Sequence, residues 1–129
     1  MKVEIKCTSG TAELHRARNQ GQTITPADGG IEVEVLAVPK NVPSAQDWIK
    51  ANAANAWNTV GVGQKGRESG KVSVTALDGA VVVREYLDVN PFTSPDATDH
   101  TDHTLRVGET IERNVIGANA ETLLVVGPA

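Results

Sequence analysis

The chain has 129 residues, 40% of them hydrophobic and 22% charged, with a formal net charge of −4. That length suits one domain, 1–129, burying roughly two-thirds of its unfolded surface, and the composition is too apolar for a disordered chain. Lys and Arg are scattered, which gives no basic stripe for nucleic acid, and no apolar run approaches the roughly 20 residues of a membrane helix.

Aromatic residues make up only 3% of the sequence: Trp48, Trp57, Tyr86 and Phe92. Aromatics bring the largest buried area per residue, so a core of valine and alanine is expected to be thin. A thin core gains from a partner subunit. The opening MKVEIKC alternates from residue 2 and lacks the long apolar centre of a signal peptide. The single Cys7 rules out an internal disulfide. Synthesis in the cytoplasm is expected.

In KVEIKC, Val3, Ile5 and Cys7 alternate with charged residues, which is strand periodicity, and TAELHRA continues it past Ser9-Gly10. QTIT and IEVEVLAV flank a Gly29-Gly30 reversal. Ile31, Val33 and Val35 alternate with Glu32 and Glu34, as in an antiparallel strand with one wet face. Beyond Pro39 and Pro43 the period changes. Ala45, Trp48, Ile49, Ala53, Ala56, Trp57 and Val60 form a stripe at spacings of three and four, with Ser44 as N-cap, Asp47 in the first turn and Gly61 as the stop. One inserted helix is predicted near 44–60. KVSVTAL and AVVVREYLDV then flank Asp78-Gly79, a strong hairpin signal. After Asn90-Pro91 and a polar stretch, TLRV, ETIERNVI and ETLLVV read as three more strands. The expected fold is α+β and mainly antiparallel β. It is a sandwich or partly closed barrel of about seven or eight short strands carrying that one helix.

Two stretches resemble sites. GVGQKG, 61–66, matches GxGxxG, but a dinucleotide loop connects a strand to a following helix, and here the predicted order is reversed. It reads as a connector exposing Lys65 and Arg67. DATDHTDHT, 96–104, holds two of the three histidines and three carboxylates. Asp99, His100, Asp102 and His103 are candidate ligands for a divalent ion. They are an incomplete set for zinc within one chain, so a site here is either local and partly filled or shared by subunits around a symmetry axis. The plainer reading of the stretch is a solvated, turn-forming loop. No serine sits in a GxSxG elbow, and Cys7 lies in the apolar register of its strand. Trp48 and Trp57 suit either core packing or an interface.

A small, acidic, aromatic-poor chain with the strands KVEIKC and GGIEVEVLAV, the LDGAVVVREYLDV pair and the closing TLRVGETIERNVIGANAETLLVV resembles the structural proteins of tailed-phage virions. The capsid decoration (cement) proteins are the nearest comparison. The resemblance implies binding to the outside of a capsid lattice, often as a trimer, and stabilising the shell against internal pressure. It implies no catalytic residue and no cofactor. The partners would be further copies of the chain and a capsid lattice protein, with no nucleic acid and no membrane, and the location would be the virion. No motif residue is shared, so no side chain receives a role from it. Trp48, Trp57, Lys65, Arg67 and Phe92 are the residues left for interfaces. The alternatives are a small cytoplasmic ligand- or metal-binding module, with or without enzymatic activity, built on the 96–103 Asp/His stretch, and a phage tail or connector component.

Overall fold

A computed structural model describes residues 1–15, 22–35, 58–61, 69–87, 100–116 and 122–129. Among these residues there are ten strands: β1 (Lys2–Gly10), β2 (Ala12–His15), β3 (Gln22–Ile24), β4 (Gly30–Glu34), β5 (Asn58–Gly61), β6 (Ser69–Ala76), β7 (Val81–Leu87), β8 (Thr101–Leu105), β9 (Thr110–Ile116) and β10 (Thr122–Pro128). They form two antiparallel sheets, a four-stranded one in the order β4-β1-β6-β9 and a six-stranded one in the order β3-β2-β5-β10-β7-β8. The expected β-rich, mainly antiparallel character is present.

The two sheets share one core. Val3, Ile5, Val72, Val74 and Val115 from the first meet Leu14, Ile24, Val81, Val83, Leu124 and Val126 from the second. In β1, β2, β3 and β6 these residues alternate with polar neighbours, so the period of two decides which side chains are dry. Cys7 belongs to this core; burial pushes its thiol up, and its Sγ lies 3.4 Å from the Ser9 carbonyl oxygen. A neutral, packed sulfur is a small hydrophobe.

Most connections cross between the sheets. β1 passes to β2 through Gly10, at φ 67°, just after a register shift between Cys7 and Ser9 in its pairing with β6. A bulge followed by a left-handed residue bends a strand, and such bends make the corners where a strand leaves one sheet for the other. β4 and β3, β1 and β2, β6 and β5, and β9 and β10 therefore lie as four consecutive ribbons folded over the core. β7 and β8 extend only the six-stranded sheet.

Two expectations are corrected. The last residues of the predicted helix near 44–60 belong instead to β5, hydrogen-bonded between β2 and β10. Backbone pairing on both sides fixes these residues as strand, against the end of a stripe read at spacings of three and four. Residues 44–57, including Trp48 and Trp57, lie outside the described residues. Among those described, the one helical turn is the 3-10 segment Pro26–Asp28, where the Thr25 amide donates to Asp28 Oδ2 at 2.7 Å. Second, Asp78-Gly79 does not close a hairpin. β6 pairs with β1 and β9, whereas β7 pairs with β10 and β8. The turn instead anchors to the start of β1. The Lys2 amide donates to Asp78 Oδ1 at 2.6 Å, and the Leu77 amide donates to the Lys2 carbonyl at 3.0 Å. The same two residues that reverse a chain within a sheet here carry it from one sheet to the other.

Candidate functional site

The second half of the Asp/His stretch is not a loop. His100 lies just before β8, and Thr101–Leu105 is that strand, paired along its length with β7. Alternation then separates residues that are adjacent in sequence. Arg84 and Asp102 face each other on the outer side, while Glu85 and His103 share the core-facing side with Val81, Val83 and Leu105.

The outer pair is bidentate. Arg84 Nε donates to Asp102 Oδ1 at 2.7 Å, and Nη2 donates to Oδ2 at 3.0 Å. That hydrogen bonding holds the Asp102 carboxyl below its ordinary range, against the opposing effect of partial burial. A depressed folded-state value gives stability that is complete above the ordinary carboxylate range and is lost as pH falls through the folded value. The Asp102 side chain is 41% exposed, so screening limits the pair to about 0.5–1 kcal/mol. Asp102→Asn is expected to lower the urea midpoint slightly at neutral pH. The gap to the parent should close in strong acid, where the parent has lost the same interaction. A gap unchanged in acid would show that the charge is not its source.

The inner group joins the two sheets. Glu85, only 8% exposed, accepts at Oε1 from His103 Nε2 at 3.0 Å and from Arg113 Nε at 3.3 Å. A carboxylate only accepts, so His103 presents Nε2–H. Arg113 reaches across from β9, where it stands between Ile111 and Val115 in the core-facing register, and its Nη1 also donates to the Glu112 carbonyl at 2.9 Å. Among the described residues β8 and β9 are the last strands of their respective sheets. The cluster therefore sits on the rim where the two sheets end side by side.

Of the four candidate ligands, Asp99 lies outside the described residues, His100 and Asp102 fall in the outward register, and His103 points inward. Among the described residues, no three His, Cys, Asp or Glu side chains come together as a metal site. A carboxylate–imidazole pair can orient a general base, but among the described residues no serine or cysteine hydrogen-bonds His103. Trp57, Lys65, Arg67, Phe92 and Trp48 all lie outside the described residues. Glu85 and Arg113 were missed in the sequence, although a signal exists. In VVVRE and TIERNV a charge occupies the same alternating register as Val81 and Val83, or Ile111 and Val115, where the buried face of a strand calls for an apolar residue.

A second feature lies at one end of the sandwich. Met1, Leu77 and Val107 are the large hydrophobics exposed among the described residues. Backbone bonds place them near one another. Leu77 N binds the Lys2 carbonyl, Gly108 N binds the Ala76 carbonyl at 2.8 Å, and the Met1 thioether lies over Gly79. The polar rim includes Asp78, Arg106 and Glu109, with the Arg106 amide donating to Glu109 Oε1 at 2.8 Å.

No protein-family model matches the chain, and neither a curated protein nor a solved structure does.

Proposed function

We propose that this chain is a structural interaction protein of a virus particle, of the capsid-decoration type, which stabilises an assembled shell by binding its outer surface as a homo-oligomer, with a trimer favoured. The observation that carries the reading is the gathering of Met1, Leu77 and Val107 at one end of a sandwich with a thin, valine-rich core. Single exposed apolar residues are ordinary, but several at one place, rimmed by polar groups, are the composition of a contact surface. The mechanism is thermodynamic. A protein that binds only the assembled lattice shifts the equilibrium toward it, in proportion to the logarithm of its free concentration over Kd.

The test uses shells of the virus encoding the chain, prepared with and without it. Shells lacking the protein should open at a lower temperature, and adding purified protein should restore them. Leu77→Asp with Val107→Asp should keep the unfolding transition yet weaken rebinding about tenfold or more, a hot-spot-sized loss. Protein that neither binds the shells nor changes their opening temperature ends the proposal.

A further inference from the structure

We infer that the Glu85–His103–Arg113 cluster guards the β8–β9 rim, preventing another strand from adding to either sheet at that edge. The inference is independent of the virion reading. An edge strand offers a row of backbone donors and acceptors to any passing strand, and an inward-pointing charge is one of the devices that make such an edge unfit for pairing. Here both neighbouring edges turn a polar side chain inward, and Arg113 and Glu85 bring charge to the rim. His103 occupies the core-facing register of β8 and Arg113 that of β9, and Glu85 of β7 is tied to both.

Solvation is what makes the cluster a guard. His103 and Arg113 keep side-chain exposures of 22% and 37%, so water reaches the cluster from the open side of the rim. A strand added to β8 or β9 would lay its own inward side chains across that opening. It would strip the remaining water from a cation and a carboxylate while offering them no new partner, and an ion taken out of water without new hydrogen bonds is strongly disfavoured. The opposite rim is different. β3 and β4 end the two sheets there with Ile24, Ile31 and Val33 in the inward register, and Glu32 and Glu34 on the outer face. Inward charge is thus concentrated, among the described residues, at the rim shared by β8 and β9.

The experiment compares the masses of three forms by sedimentation over a range of concentrations. These are the wild type, the triple variant Glu85→Leu/His103→Val/Arg113→Val, and the triple variant carrying Thr101→Lys as well. Replacing a whole ion cluster by apolar residues of similar volume leaves folding intact far more often than removing one member. The triple variant should therefore unfold cooperatively and associate with rising concentration to at least double the wild-type mass. Thr101 shares the inward register of β8 and is exposed, so Thr101→Lys returns a charge to the rim and should restore the wild-type mass. A triple variant with unchanged mass overturns the inference. So does association that Thr101→Lys leaves in place, which would locate the contact elsewhere. A triple variant without cooperative unfolding also overturns it, because the charges would then be needed to hold the two sheets together.

Discussion

Gly70→Ala should lower stability by about 3 kcal/mol, the upper part of the range for forcing an atom into a packed interior, and reduce the melting temperature by roughly 10 °C. Gly70 lies in β6, opposite Gly10 on one side and Val115 on the other. The bulge after Cys7 and the bend at Gly10 bring the β1–β2 corner directly over this position. A methyl group on Gly70 would run into the Thr11 carbonyl oxygen and come within 2.6 Å of the Ser9 carbonyl oxygen. Both obstacles are backbone, so neither can swing away.

Two other glycines supply the controls. A methyl on Gly30 meets only the end of the Glu4 side chain, which can move into solvent, so Gly30→Ala should be nearly silent. Gly108 has open space around it but a φ of +85°, so Gly108→Ala carries only the conformational cost, about 1 kcal/mol. Chemical denaturation of the three variants ranks them directly. If Gly70→Ala costs no more than Gly108→Ala, the close approach of the corner is wrong.

That corner also shows what the sequence could and could not disclose. KVEIKC, IEVEV and KVSV alternate because one face of each strand is wet, and all three appear as strands with their apolar residues inward. Sheet membership does not leave such a trace. Asp78-Gly79 encodes a reversal, but the reversal is completed by a bond from Lys2, 76 positions away, and only that partner decides which sheet receives β7. The same limit applied to the site. The Asp/His stretch drew attention by its composition, whereas His103 takes its role from Glu85, 18 residues earlier, and from Arg113 beyond a turn. Local composition marked Asp102 and His103 together, and the pleat then placed them on opposite faces of the sheet. Asp102 ended in a solvated pair with Arg84, and His103 in a partly dry cluster.

Leu124→Ala is expected to produce the largest loss among the core truncations, about 4 kcal/mol, within the range for a buried leucine whose cavity cannot collapse. Two features keep the cavity open. β10 is hydrogen-bonded on both sides, to β5 and to β7, so its backbone cannot shift to fill space. It is also dry on both faces. Leu124 and Val126 enter the shared core, while Val125, equally inaccessible, is buried on the other side and lies outside that core. A strand buried on both faces reads as a continuous apolar run, which is what LLVV is.

Leu105→Ala is the informative comparison. It too is core-facing, but on the edge strand β8, where neighbours and water can move into the vacated volume, and it should cost about 2 kcal/mol, the lower end of the same range. Equal losses at the two positions would mean that the β8 edge is held as firmly as the centre of the sheet. A smaller loss at Leu124 would remove β10 from its place as the strand against which the six-stranded sheet is braced.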